Sequence, residues 1–169
     1  MVKSAKQIIL SGVFTALLIG VQFILSGVAG VELVTVLLLC FCYKYGVRQG
    51  ILVANAFSLL RCFVFGFFPN VIILYLIYYN LFALLFGCIG KKFKSEYTVK
   101  KHICIVCVAV LMTAMFTMLD NVLYTLMYVN SLQGAKVYFL ASISTLVPHL
   151  VCTFCTTLLL FRPFIKLFK

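Results

Sequence analysis

The sequence predicts an all-α membrane protein, a compact bundle of six transmembrane helices with both termini cytoplasmic. Three observations carry that fold class. The chain is 65% hydrophobic with a mean hydropathy of +1.21, against roughly 45–50% apolar residues in a soluble domain. At 169 residues its interior is too small to hide so much apolar surface from water. Several apolar runs approach or exceed the roughly 20 residues that a helix needs to cross a bilayer. The charge, a net +11 from 14 Lys and Arg against three acids, stands in short clusters beside those runs. A basic balance can indicate nucleic acid, but this placement is that of topology signals and anionic-lipid contact. By length the chain, 1–169, is a single domain.

Span one covers about 7–25 and reads QIILSGVFTALLIGVQFIL. Gly12, Ala16 and Gly20 fall four apart, so they share one helical face on which another backbone can approach closely. The apolar core outruns a signal-peptide core, and no cleavage site leads into a polar chain, so the span is expected to be retained. A turn of small residues follows, from Ser26 to Gly30. Span two, about 31–43, is short, its start can fall within the preceding loop, and an acid, Glu32, stands at its outer edge. Spans three to six are about 46–67, 70–89, 102–128 and 136–161.

Orientation follows from the basic residues. Lys3 and Lys6 precede span one. Lys44 and Arg48 mark the turn between spans two and three. Lys91, Lys92, Lys94, Lys100 and Lys101 fill the loop between four and five, and Arg162, Lys166 and Lys169 close the chain. Six spans put all of these on one side, the cytoplasm. The opposite loops carry no Lys or Arg apart from Lys136 at an edge.

Polar side chains within spans are costly and usually face the bundle interior or a water-filled cavity. Span five carries Thr113, Thr117, Asp120, Tyr124 and Tyr128 on one face, with Asn121 beside it. Span six carries Tyr138, Ser142, Thr145, His149, Cys152 and Thr156, and Pro148 is expected to kink it. Span three holds Arg61, with Asn55 and Ser58 deeper. Span four begins at Asn70 and runs through Tyr75, Tyr78, Tyr79 and Asn80, and span one holds Gln22. Two readings follow. Arg61 pairs with Asp120 or Glu32 as a structural ion pair, or the polar stripes converge on an outward cavity lined by tyrosines and a few anchors. The second is preferred. Its expected substrate-binding set is Glu32, Arg61, Asn70, Tyr75, Tyr79, Asn80, Asp120, Asn121, Tyr124, Tyr128, Ser142 and His149.

The eight cysteines are read as reduced thiols towards the cytoplasmic side. Cys104-x-x-Cys107 and Cys152-x-x-Cys155, with His102 and His149, could in principle hold zinc. Both pairs lie in apolar helices at different depths, so no metal and no cofactor is expected. No phosphate-binding loop, nucleophile motif or HExxH is present, so the chain is not expected to be an enzyme, although Asp120 and His149 could do acid–base work if they met.

The layout resembles the substrate-binding S component of energy-coupling factor (ECF) transporters. The likeness rests on six short spans, the small-residue face of helix one, and an acid-led second helix, VELVTVLLLCFCYKYGVRQG, that ends in a basic, Gly-containing turn. The resemblance implies a multi-pass protein of the bacterial plasma membrane that binds a vitamin or similar micronutrient from outside. It also implies docking on a transmembrane T component with two cytoplasmic ATPases, an ABC-type importer. Gly12, Ala16 and Gly20 would be the docking face, with Gly at two positions where the family more often has Ala. The loop 26–30 would be the lid, and Arg61 and Glu32 would stand at the pocket rim. The mixed charges favour a polar or zwitterionic ligand over a simple anion, and the absence of Trp leaves Tyr and Phe to supply aromatic contacts. The alternative is a six-span scaffold similar to the MreD cell-shape protein, with no ligand and no cavity.

Overall fold

In the computed structural model, which describes residues 5–28, 31–93, 98–129 and 131–167, the chain is a bundle of six helices. They are α1 (Ala5–Leu25), α2 (Val34–Tyr45), α3 (Val47–Phe65), α4 (Pro69–Lys92), α5 (Val99–Tyr128) and α6 (Leu132–Leu167), with no strand among the described residues. Ala29, Gly30, Lys3, Lys94 and Lys169, within the turn and the charge clusters above, lie outside the described residues. Five of the helices are long and apolar enough to cross a membrane.

Span two is corrected by the structure. α2 has 12 residues, a rise of about 18 Å, short of the ~30 Å apolar thickness of a bilayer. It needs no such length because it is an internal strut. Val34 to Cys42 are all buried, and the helix packs on α1, α3, α4 and α6. It also begins late. Glu32 precedes the helix and reaches Tyr79, in the middle of α4, with that hydroxyl donating to Glu32 Oε1 at 3.4 Å. Glu32 is therefore at the depth of the α4 midpoint, not at an outer edge. The backbone ahead of α2 is irregular, and irregular backbone at membrane depth is tolerated where protein or a cavity surrounds it. Here Cys152 serves it: the Glu32 N–H donates to Sγ at 3.3 Å and the thiol donates to the Glu32 carbonyl at 3.5 Å.

Neighbouring helices alternate in direction. Ser11 meets Gln49 and Gln22 meets Arg61, so α1 and α3 run the same way. Gly50 lies against Ala83 and Asn55 meets Asn80, and Thr113 meets Thr153 and Asn121 meets Ser142, so α4 opposes α3 and α6 opposes α5. Ala5 and Leu167 thus reach the same end of the bundle, together with Lys6, Lys44, Arg48, Lys91, Lys92, Lys100, Lys101, Arg162 and Lys166. The charge segregation expected from the sequence is a real feature of the fold, a basic end opposite an end that holds Lys136.

At the basic end, Gly46 at φ +82° turns α2 into α3, a backbone state that side-chain-bearing residues rarely adopt. α4 then packs against that turn through Gly87 and Gly90. A Cβ at Gly87 would stand 2.6 Å from the Val47 nitrogen, and one at Gly90 would collide with the Tyr43 carbonyl. The core above is aromatic. Tyr75, Tyr78, Tyr79, Phe82 and Phe86 are buried on α4, with rings meeting edge-on or tilted at 4.5–6.5 Å, the arrangement that aromatic quadrupoles favour. The outside is apolar as well: Ile9, Val13, Leu17 and Ile24 on α1 and Leu140, Val147 and Leu159 on α6 are exposed. Such a surface fits acyl chains rather than water. α6 runs on through Pro148 and Pro163. Pro148 has no N–H to give the Ser144 carbonyl; in the turn before it, Ser144 and Thr145 donate their hydroxyls to the carbonyls of Ala141 and Ser142 at 2.7 and 2.9 Å.

Candidate functional site

The turn after α1, the chain leading into α2, and the facing parts of α3, α4, α5 and α6 enclose a partly open cavity of about 320 Å³. Its polar lining is Gln22, Ser26, Glu32, Arg61, Tyr75 and His149, and Phe65 and Phe116 add aromatic wall. A narrow crevice too small for water adjoins it at Glu32, between Thr35, Tyr78, Tyr79 and Thr113.

Arg61 is fixed by neutral groups. Its Nε donates to Gln22 Oε1 at 3.2 Å, and Gln22 Nε2 donates onward to the Tyr75 hydroxyl at 3.1 Å. The guanidinium carbon lies 4.2 Å from the Tyr75 ring centre and 4.8 Å from that of Phe65, within the range where a ring face attracts a cation. Among the described residues no carboxylate stands within ion-pair distance of it. The less favoured reading, an ion pair with Asp120 or Glu32, is not what the structure holds: polar and aromatic neighbours hold the cation, and its remaining N–H donors are left for the cavity. Glu32 and His149 line the same cavity.

Of the twelve residues expected at the site, Glu32, Arg61, Tyr75 and His149 line this cavity, and Tyr79 touches it through Glu32. The others stand elsewhere, and all but Asp120 join helices. Asn80 donates to Asn55 at 2.7 Å, linking α4 to α3. Asn121 donates to Ser142 at 2.7 Å, linking α5 to α6. Tyr128 donates to Asn70 at 3.4 Å, linking α5 to α4. Tyr124 stacks on Tyr138 with ring centres 4.2 Å apart. Asp120 is half-buried on α5 and is not part of the cavity wall, so it does not meet His149 there. The residue that the site set omits is Gln22. A glutamine inside an apolar span was a visible signal; that it would brace Arg61 was not.

Gly12, Ala16 and Gly20 are exposed on α1, while Ser11, Phe14, Thr15 and Leu18 on the opposite face are buried. Nothing lies within 4 Å of where a Cβ would stand on Gly12 or Gly20. All eight cysteines are free, with Cys104, Cys107 and Cys155 exposed. No cluster of three metal-binding side chains occurs among the described residues. Thr113 meets Thr153 at 3.0 Å, which sets Cys152 about 13 Å along the α5 axis from Cys104.

No protein-family model matches the chain, and no curated protein or solved structure does either.

Proposed function

We propose that the chain is the substrate-binding subunit of an ECF-type importer. It sits in a bacterial plasma membrane with its basic end and both termini in the cytoplasm. It takes a vitamin or related micronutrient from outside and delivers it through a transmembrane T component driven by two ATPases. It performs no chemistry itself.

The observation that carries this reading is the cavity at the end opposite the basic one, in which Arg61 is immobilised by Gln22, Tyr75 and Phe65 without a carboxylate partner. An unpaired cation among apolar helices is unfavourable, which is accounted for if a ligand completes the site. A scaffold of the MreD type has no use for it. The exposed Gly12, Ala16 and Gly20 face supports the same reading, since it is the surface on which a partner helix would pack closely.

Mass spectrometry of small molecules released from gently purified protein, together with a pull-down of partner subunits, tests it. A stoichiometric compound and a co-purifying T component are expected. An empty protein that also captures no T component would transfer the argument to the scaffold.

A further inference from the structure

We propose that the cavity selects a compact zwitterion, with its amine or N–H-rich cationic end on Glu32 and its carboxylate on Arg61. The inference rests on the binding reading above and names the substrate class. Glu32 and Arg61 line one cavity of about 320 Å³ without pairing to each other. Were the charges there only for stability, closing them into a pair would neutralise both. They are held apart by separate devices. Arg61 is braced by Gln22 and sandwiched by Tyr75 and Phe65. Glu32 is anchored by its backbone to Cys152 and by its carboxylate to Tyr79.

Each keeps unused capacity towards the cavity. A guanidinium has five N–H donors in a fork that matches a carboxylate, and the only hydrogen bond of Arg61 to a side chain among the described residues is the one its Nε makes to Gln22. A carboxylate offers about four acceptor positions; Tyr79 takes one on Oε1, Thr35 stands beside it in the adjoining crevice, and the rest face the cavity that His149 also lines. A simple anion would gain Arg61 but face Glu32, and a simple cation the reverse. Only a ligand with both signs satisfies both walls. Size limits it further. The cavity is at the small end of the ~300–1,000 Å³ usual for ligand pockets and holds on the order of ten waters, so a large cofactor does not fit. Phe65, Phe116 and Tyr75 provide apolar wall for the body of the molecule.

The test uses the full chain in lipid nanodiscs, incubated with a defined mixture of the twenty amino acids, thiamine, biotin, nicotinate and riboflavin. Bound compounds are then identified by mass spectrometry. A zwitterion is expected on the wild type, with occupancy reduced at least about tenfold in both Glu32→Gln and Arg61→Met. Arg61→Lys, which keeps the charge but loses the fork, is expected to fall between. Thermal unfolding of each variant separates lost binding from lost fold, and Glu32→Gln, nearly isosteric, serves if Arg61→Met fails to fold. Capture of thiamine, biotin, nicotinate or riboflavin alone, or a zwitterion retained by either folded variant, overturns this inference and leaves the binding function standing. A wild-type protein that captures nothing from the mixture overturns this inference, and the binding function falls with it only if the protein also captures no T component.

Discussion

Small residues line one face of α1 and one face of α4, in opposite surroundings. On α4, Gly87 and Gly90 lie against the backbone of Val47 and Tyr43, and a methyl group at either would collide. On α1, Gly12 and Gly20 have nothing within 4 Å of a Cβ position, and Ala16 between them is exposed. The α4 face has met its partner within the chain, the turn that joins α2 to α3. The α1 face has met none among the described residues. The same residue chemistry thus closes the basic end of the bundle in one place and leaves a surface for close helix contact in the other.

The largest effect is expected at Gly90. Gly90→Leu forces a side chain into the Tyr43 backbone, and overpacking of this kind destabilises by about 1–3 kcal/mol or more. Detergent-solubilised protein should unfold at a clearly lower temperature or fail to accumulate; a wild-type melting curve would contradict the close approach of α4 to the turn. Gly87→Ala is the milder probe of the same contact, with an expected loss of about 1 kcal/mol as the Val47 backbone shifts. Gly12→Ala should act in the opposite direction. With open space around it, the added methyl group removes backbone freedom from the unfolded chain and raises helix stability by about 0.5–1 kcal/mol. A destabilised Gly12→Ala protein would mean that α1 is already packed on that face. The smallest effect on folding is expected from Ala16→Leu, within about 0.5 kcal/mol of wild type. Under the proposed function its consequence belongs to association: capture of a T component should be lost while the isolated protein still binds ligand. Normal capture by this variant would remove α1 from the docking surface.

The sequence could not separate these two faces. Gly12-xxx-Ala16-xxx-Gly20 stands out by its spacing, whereas Gly87 and Gly90 sit three apart in a run that reads simply as apolar. Which small face is filled depends on what lies opposite it, and that is a property of other parts of the chain. The site shows the same limit. Glu32, Arg61, Tyr75 and His149 were visible as polar groups in apolar surroundings, and they line one cavity. Asn70, Asn80, Asn121 and Ser142 gave the same signal, yet they form interhelical hydrogen bonds. A polar residue in a span must be satisfied somewhere, and that requirement does not state whether by another helix or by a ligand.

By itself the sequence determined that the protein is helical, that its surface is suited to lipid, and that one end of the bundle is basic. Hydropathy and charge act residue by residue, so their sums along the chain are enough. It also located α1, α3, α4 and α5 to within three residues at each end, and α6 to within six, because each needs an apolar run of spanning length. Only the tertiary structure decided that α2 is a short buried strut and that Glu32 sits at mid-depth against Tyr79. Only it decided that Arg61 is held by Gln22 and two rings in place of an acid. Burial among helices and burial in lipid select the same apolar side chains. What distinguishes them is which surfaces meet, and that is fixed by packing between segments far apart in the chain.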